Sequence, residues 1–434
     1  MNRKKVAFFT LGCKVNFCET EALQSLFEKE GYRITDFKKA ADVYVINTCT
    51  VTGLSDHKSR KAIRRARRRS PEAIIVATGC YAQGFPGEIR EMEQADLIIG
   101  TRGRENLPRI IASLERGQVQ ELVRPYDSNS SFELLPAARR RGRSRGFLKI
   151  QEGCTQGCTY CIIPTTRGPL RSLPPDEAIK RARHMVASGY REIVLTGIHL
   201  GLYGADQEGF SLGSLLGELE KIEGLARIRL SSIEPTDVTR ELAERLFSSA
   251  KICPHLHIPL QSGDEEILRR MNRPYTPEEY LYLVRWLRDM KSDLAVSADV
   301  MVGFPGETEE HHRRSLAFVE AMRFSRLHVF AYSPRPGTVA AGLTGQVDGA
   351  DKERRSREMI NLGQRMAAAF RRKFIATTQE VLIEKVRPYH FGEGFTPHYL
   401  RTRVALEGRG KGWPGRIIPA RLEKVEGPYL LGKT

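Results

Sequence analysis

Residues 152–161 read Glu-Gly-Cys-Thr-Gln-Gly-Cys-Thr-Tyr-Cys, and Cys154, Cys158 and Cys161 form a C-x3-C-x2-C pattern in this stretch. Structural zinc takes four ligands in a closed shell, and no nearby fourth Cys or His completes that set. Three thiolates in one short loop instead favour a four-iron cluster, which keeps one iron open to a substrate or cofactor. We therefore predict an iron–sulfur centre on these three cysteines.

The same spacing, with Tyr160 just before the last cysteine, resembles the radical S-adenosylmethionine (radical SAM) superfamily. The resemblance implies that the open iron chelates the amino and carboxylate groups of the methionine moiety of SAM. The alternative, three cysteines placed close together by chance, does not account for a metal-ligand spacing.

Length, charge and cysteine usage narrow the class of protein. A chain of 434 residues predicts two or three domains. Its net charge of +17 favours a polyanionic partner, although a generally basic enzyme would show the same excess. Six of the eight cysteines fall into two patterned sets, which indicates thiolate sites in a reducing compartment.

Membrane association is not expected. The first apolar run, Val6–Thr10, is too short for a signal peptide, and no segment approaches the ~20 apolar residues of a membrane span. We expect a soluble, cytoplasmic protein.

Residues 1–125 alternate short apolar runs with amphipathic stretches, which is typical of a doubly wound parallel α/β domain. The predicted strands are Val6–Thr10, Val43–Asn47, Ala73–Ala77 and Leu97–Ile99. The predicted helices are Glu19–Glu30, Ser55–Arg69, Gly87–Gln94 and Asn106–Arg116.

Cys13, Cys49 and Cys80 each follow the end of one of these strands. Carboxyl ends of parallel strands share one edge, where ligands bind, so the three thiols should converge. We predict a second iron–sulfur cluster there, against the alternative of three unrelated cysteines in turns.

Two basic stretches follow. Residues 59–69 form a helix with a dense basic face, which fits a solvated surface or a contact with RNA phosphates. Residues 126–145 lose all periodicity and read as a linker with a basic second half.

Residues 146–376 repeat a strand–loop–helix rhythm that predicts a partial (β/α)6 barrel, with its chemistry on the carboxyl-end loops. The predicted strands are Phe147–Gln151, Glu192–Thr196, Arg227–Ser231, His255–Pro259, Ala295–Val302 and Leu327–Ala331. Helices are predicted at Pro175–Ser188, Ser214–Lys221 and Pro277–Lys291, and residues 350–374 should form a helix that braces the barrel.

Residues 377–434 change to short alternating runs and predict a small β-barrel. The runs are Glu380–Lys385, Tyr399–Leu406, Gly415–Pro419 and Ala420–Val425. Basic residues interleaved with Tyr389, Tyr399 and Trp413 fit an RNA-contacting barrel, and a stabilising cap with a polar surface is the alternative.

Taken together, the chain resembles a radical SAM methylthiotransferase along essentially its whole length, with an N-terminal tri-cysteine domain, a radical SAM domain and a C-terminal TRAM barrel. The matching stretches are Thr10–Asn16, Asn47–Thr52, Thr78–Gln83, Lys149–Cys154, Cys161–Gly168, Leu260–Gly263 and Gly303–Glu307. Leu11–Asn16 and Leu195–Gly204 are most similar to the branch that modifies threonylcarbamoyladenosine beside the tRNA anticodon.

The resemblance implies two [4Fe–4S] clusters and SAM as cofactors. The cluster on Cys154, Cys158 and Cys161 would cleave SAM to a 5′-deoxyadenosyl radical, and the other would carry the sulfur. A further SAM would methylate it, giving a methylthio group at the adenine C2. The implied partners are the tRNA anticodon stem-loop and a reductant protein such as flavodoxin or ferredoxin.

Candidate SAM contacts follow from the same resemblance: Tyr160, Glu234, Gln261, Ser262, Asp299 and Glu307. Cys18 and Cys253 are expected to be bystanders to the cluster chemistry. Three other functions stay open: a methylthiotransferase for isopentenyladenosine in tRNA, one for a ribosomal-protein aspartate, or an iron–sulfur RNA-binding protein without turnover.

Overall fold

A computed structural model describes residues 3–114, 119–127, 130–137, 144–387, 391–406 and 412–434. These residues divide into two compact units. The first draws on Met1–Arg139, Gln151–Leu173 and Ser333–Ala341, and the second on Arg140–Ile150, Pro174–Tyr332 and Gly342–Thr434. Tyr389 and parts of the predicted linker lie outside the described residues.

The strands of the described residues are, in chain order, β1 (Lys5–Thr10), β2 (Arg33–Thr35), β3 (Val43–Thr48), β4 (Ile74–Gly79), β5 (Leu97–Ile98), β6 (Gln120–Glu121), β7 (Arg145–Lys149), β8 (Gln151–Glu152), β9 (Arg171–Ser172), β10 (Glu192–Thr196), β11 (Arg227–Leu230), β12 (His255–His257), β13 (Ala295–Val302), β14 (Arg326–Ala331), β15 (Thr378–Arg387), β16 (Phe391–Phe395), β17 (Arg401–Ala405), β18 (Ile417–Glu426) and β19 (Tyr429–Lys433). The α-helices are α1 (Lys14–Lys29), α2 (Gly53–Arg69), α3 (Cys80–Gly84), α4 (Pro86–Arg90), α5 (Leu107–Ala112), α6 (Ile163–Arg167), α7 (Pro175–Ala187), α8 (Leu212–Glu220), α9 (Arg240–Ser248), α10 (Glu265–Arg270), α11 (Pro277–Met290), α12 (Glu309–Met322) and α13 (Gly349–Arg372).

The first unit contains a six-stranded parallel sheet in the order β2-β1-β3-β4-β5-β6. Both faces of this sheet are covered, since Val45 and Ile46 are adjacent in β3 and belong to different apolar clusters. A buried parallel sheet of this order is doubly wound, which confirms the predicted fold class of the N-terminal part. Sequence reasoning missed the short edge strands β2 and β6.

In the second unit, β7, β10 and β11 form one parallel sheet, and β12, β13 and β14 form another. Isolated parallel bridges between Ile228 and Ile252, and between Ser232 and His257, connect β11 to β12. The six strands therefore follow one another in chain order, as predicted for a partial (β/α)6 barrel. Thr276 and Thr308 begin α11 and α12 with capping boxes, which fixes where these helices start.

The C-terminal strands close into a barrel in the order β15-β16-β17-β19-β18. The two runs predicted at 415–419 and 420–425 are one strand, β18, and β16 and β19 were missed. The β16 sequence, Phe-Gly-Glu-Gly-Phe, does not look like a strand because two of its five residues are glycine. Glycine is needed at Gly394, where a Cβ would collide with the carbonyl oxygen of Leu382. Close backbone approach here excludes the side chains that would reveal a strand.

Helix α13 braces the second unit as predicted. At Gly363 it lies so close to β14 that a Cβ would be 2.9 Å from that of Leu327. Phe370 and the following Phe374 share an apolar cluster with Leu422 of the C-terminal barrel. Within the part of the chain that the structure describes, no helix is both long and apolar enough to cross a membrane.

Candidate metal centres

Strand register brings the N-terminal cysteines together. Thr10 of β1 pairs with Asn47 of β3, which pairs with Thr78 of β4. These three residues lie side by side across the sheet. Cys13 follows Thr10, Cys49 follows Asn47 and Cys80 follows Thr78, each within three residues. The switch in strand order between β1 and β3 is where a doubly wound sheet binds ligands.

Glycines make room for these thiols. Gly12 has a φ of +100°, and a Cβ there would lie 3.0 Å from the Sγ of Cys49. Gly79, with a φ of +92°, lies so close to Asn47 and Thr48 that a Cβ would collide with both. Both glycines are therefore required by backbone conformation and by space, as expected of a crowded ligand cradle.

The thiols differ in exposure and acidity. Cys49 and Cys80 are buried, and Cys13 is exposed. Burial raises the pKa of Cys49, and it raises the pKa of Cys80 to about 12. Burial therefore opposes thiolate formation at both residues, and metal loading must release the thiol protons.

The donor set fits an iron–sulfur cluster. Two buried sulfurs with one exposed sulfur beside them form a pocket of soft ligands with an open side. Among the described residues, no group of three or more His, Cys, Asp or Glu is spaced to hold a single metal ion. Three thiolates at one sheet edge are the ligand type and number that a four-iron cluster with one open iron takes.

The second cysteine set lies in the loop between β8 and α6, in the same compact unit. Cys154, Cys158 and Cys161 are each partly buried. The Cys161 amide donates to the Cys158 carbonyl at 3.0 Å, and the Gln156 amide donates to Cys154 Sγ at 3.5 Å. A turn with an amide directed at sulfur is suited to cluster ligation. Tyr160 is partly buried, and its contact with SAM stays a prediction.

The segment Ser333–Ala341 contacts both cysteine regions within the first unit. The Ala340 amide donates to the Thr159 carbonyl at 2.9 Å, inside the cysteine loop. Arg335 donates to Thr50, next to Cys49, at 2.8 Å, and forms a buried ion pair with Asp56 at 2.5 Å. Nothing in the composition of this segment signals that role.

Asp299 and Glu307 lie on and after β13 in the second unit. Asp299 pairs with His257 at 3.2 Å and remains partly exposed. Glu307 is buried, forms an ion pair with Arg355 at 2.8 Å, and accepts from the Gly303 amide at 2.9 Å. Glu307 thus shapes the loop after β13, and contacts of both carboxylates with SAM stay predictions.

The remaining candidates follow β11 and β12. Glu234 forms an ion pair with Arg273. Gln261 has a φ of +65°, a conformation that is uncommon outside glycine and often marks a functional site. Ser262 is buried, and its hydroxyl accepts from the Asp264 amide at 3.2 Å. These three positions share the carboxyl-end side of the barrel, as predicted, and their binding of SAM is untested.

The two leftover cysteines have separate environments. Cys253 is buried in the second unit, and burial raises its pKa to about 12. Cys18 lies partly buried in α1. Sequence reasoning did not single out Arg167, whose Nε lies 3.1 Å from Cys80 Sγ. The available signal was its place inside the quoted stretch Cys161–Gly168.

Comparisons with known proteins cover both cysteine sets. Residues 148–319 match the model of the radical SAM superfamily, and residues 5–100 match a family described as uncharacterized protein family UPF0004. The first match includes the C-x3-C-x2-C loop, and the second includes the other three cysteines.

Relatives match nearly the full chain. The threonylcarbamoyladenosine tRNA methylthiotransferase MtaB of Bacillus subtilis is 43% identical, with 99% of this chain and 96% of the relative covered. A tRNA-2-methylthio-N(6)-dimethylallyladenosine synthase of Pelotomaculum thermopropionicum is 34% identical, with 99% and 97% covered. Among solved structures, the radical SAM methyltransferase TsrM of Kitasatospora setae has a TM-score of 0.58 at 17% identity, covering 78% of this chain and 77% of TsrM, a likeness of fold alone.

Proposed function

This chain belongs to the tRNA methylthiotransferase family of radical SAM enzymes, and we propose that it inserts sulfur and a methyl group at the adenine C2 of threonylcarbamoyladenosine beside the tRNA anticodon. The observation that carries the proposal is the presence of both cysteine triplets in one compact unit of a chain that aligns with 96% of the length of a tRNA methylthiotransferase.

Cys154, Cys158 and Cys161 hold one [4Fe–4S] cluster, and Cys13, Cys49 and Cys80 hold the other. When bound, these clusters and SAM supply radical formation and transferable sulfur, which acid–base groups cannot provide at an unactivated aromatic C–H. The chain's own residues shape the sites: β1, β3 and β4 align one triplet, and the turn at Cys158–Cys161 arranges the other.

The threonylcarbamoyladenosine branch is favoured over the isopentenyladenosine branch by identity, 43% against 34% at matched coverage. The ribosomal-protein aspartate and the role without turnover remain alternatives that experiment separates. We retain the domain division proposed from sequence: 1–125 as the tri-cysteine domain, 126–145 as a linker, 146–376 as the radical SAM domain and 377–434 as the TRAM barrel.

Helix α2 supplies a surface for the tRNA backbone. Its exposed cations are Lys58, Lys61, Arg64, Arg65 and Arg68. By contrast, Arg60 and Arg67 of the same helix are ion-paired, with Glu88 at 3.1 Å and Asp96 at 2.7 Å. Charges directed to solvent are the ones that can displace counterions from phosphates.

The C-terminal barrel offers a second such surface. Arg401 and Arg403 stack over Tyr429, with the guanidinium carbons 4.8 and 3.8 Å from the ring centroid. Tyr399 lies instead beneath Arg145 and Arg229 of the radical SAM barrel, at 5.1 and 4.6 Å. Tyr399 also packs against the rings of His255 and Phe395, so it holds the barrel together, and the group of Arg401, Arg403 and Tyr429 is the better candidate for a contact with RNA. The electron donor, a flavodoxin or ferredoxin, and a cytoplasmic location stay part of the proposal.

The decisive test compares tRNA nucleosides from a wild-type strain, a deletion strain and a complemented strain by mass spectrometry. We expect the 2-methylthio form of threonylcarbamoyladenosine to disappear on deletion and its unthiolated precursor to accumulate. Loss of the isopentenyl product instead would select the other tRNA branch, and an unchanged nucleoside profile would point to a protein substrate. Reduced protein that yields no 5′-deoxyadenosine from SAM would support a role without turnover.

A further inference from the structure

Arg167 joins the two cysteine regions through one fully buried guanidinium group. Its Nε donates to Cys80 Sγ at 3.1 Å, and its Nη1 donates to Glu19 at 2.5 Å and to Glu152 at 2.6 Å. Its Nη2 donates to Asn16 Oδ1 at 2.7 Å. A planar group that reaches four partners at once is held in one orientation.

The chain positions of these partners are informative. Glu152 and Arg167 lie on either side of the C-x3-C-x2-C loop, whereas Glu19 and Asn16 lie in α1, directly after Cys13. The ion pairs between Arg167 and the two carboxylates therefore fix the flanks of one cysteine loop against the sheet edge that carries the other triplet.

Charge balance also requires Arg167. Glu19 and Glu152 are fully buried, and a buried carboxylate without a cation is strongly unfavourable. Arg104 shares Glu19 at 3.2 Å and binds Glu133 at 2.5 Å, yet neither contact involves a cysteine.

We propose that Arg167 is a positioning residue that donates a hydrogen bond to the cluster-ligating sulfur of Cys80 and thereby raises the reduction potential of the second cluster. Hydrogen bonds and positive charge at a ligating sulfur stabilise the reduced, more negative cluster. The inference rests on the proposed function only in assuming a cluster on Cys13, Cys49 and Cys80.

The test uses full-length protein in which Cys154, Cys158 and Cys161 are replaced by alanine, so that one cluster remains. Its midpoint potential and electron paramagnetic resonance spectrum are measured anaerobically with Arg167 intact and with Arg167→Lys. Arg104→Lys is the matched control, because it disturbs the same Glu19 without touching a cysteine.

We expect Arg167→Lys to shift the potential to more negative values and to change the spectrum, and Arg104→Lys to leave both unchanged. If Arg167→Lys does not load iron, the double variant Arg167→Gln/Glu19→Gln removes one charge of each sign and is measured in its place, with the same expected shift.

An iron-loaded Arg167 variant with the parent's potential and spectrum would overturn the inference, as would failure of both variants to load iron, which would assign Arg167 a folding role alone. If the triple-alanine protein with Arg167 intact holds no iron, the proposed cluster on Cys13, Cys49 and Cys80 is wrong. The tRNA assignment is decided separately by the nucleoside profile, so the two failures are distinguishable.

Discussion

Gly12 lies directly against Cys49: with a φ of +100°, its α-carbon approaches so closely that an added Cβ would be 3.0 Å from the Cys49 sulfur. A side chain in this turn would therefore strain the backbone and press on Cys49, so we expect the second cluster to depend on glycine at this position.

Gly12→Ala should lose the cluster on Cys13, Cys49 and Cys80, because relief of the tight contact and of the strained φ displaces Cys49. We expect reconstituted protein to hold about half the iron and sulfide of the wild type, as expected when one of two cubanes is lost. Gly31→Ala is the control, since Gly31 has a φ of +84° but nothing within 4 Å of the added Cβ. Equal iron content in the Gly12→Ala and Gly31→Ala proteins would show that the second cluster does not need glycine at position 12.

The two triplets should separate in function. Replacing Cys154 with alanine should abolish 5′-deoxyadenosine formation from SAM, because SAM cleavage needs the radical SAM cluster. Replacing Cys49 should preserve cleavage but stop thiolation of tRNA. Both products are measured by chromatography of the same reaction. Retained thiolation in the Cys49 variant would rule out a sulfur-donor role for its cluster.

The exposed cations of α2 should contribute to tRNA affinity through counterion release. Lys61→Gln/Arg65→Gln/Arg68→Gln should weaken binding and flatten the slope of log affinity against log salt concentration by about 0.7 to 0.9 for each phosphate that the variant no longer neutralises. Lys180→Gln/Arg183→Gln/Lys221→Gln removes the same charge from exposed positions of α7 and the end of α8. Identical slopes for the two triple variants would show that α2 does not face tRNA.

Glu192 is the buried counterion of three arginines in the second unit. It pairs with Arg229 at 2.8 Å and Arg227 at 3.8 Å, and Arg145 also acts on its charge. Burial opposes ionisation, but Arg229 and Arg145 keep the pKa of Glu192 below its usual value.

Glu192→Gln should therefore lower the free energy of unfolding by about 3 to 5 kcal/mol, because it leaves buried cations uncompensated. Denaturant unfolding measures the loss. Glu218→Gln, at an exposed pair with Lys221, should change stability by less than about 1 kcal/mol and serves as the reference. If Glu192→Gln lowers the free energy of unfolding no more than Glu218→Gln does, water must already solvate Arg145, Arg227 and Arg229.

His398 should contribute to acid sensitivity. Burial lowers its pKa, although Asp293, 2.8 Å away, acts in the opposite direction. The folded protein therefore resists protonation of His398, and its stability should fall as pH drops below the unfolded value of about 6.5.

His398→Gln should reduce the drop in Tm between pH 7 and pH 5.5, and the exposed His184→Gln should leave it unchanged. Thermal unfolding at a series of pH values measures both. A steeper pH dependence in the His398 variant would contradict the assigned sign.

Spacing and periodicity along the chain were sufficient to predict the six candidate cluster cysteines and the parallel strands, and the resemblance of the quoted motifs indicated the family. The pattern C-x3-C-x2-C needs only eight consecutive residues, and the strand-end placement of Cys13, Cys49 and Cys80 follows from the direction of parallel strands. Local chemistry is enough for such inferences, because neither depends on which distant residues pack together.

The pairing of charged side chains, in contrast, is visible only in the folded chain. Arg167 contacts Cys80, although 87 positions of sequence separate them. The ring of Tyr399 packs under the Arg229 guanidinium, although the sequence around Tyr399 predicted an RNA-contacting surface. The strands β16 and β19 likewise become visible only when the barrel closes. Contacts between distant residues depend on how whole elements pack, and neither composition nor periodicity records the partner of a buried charge.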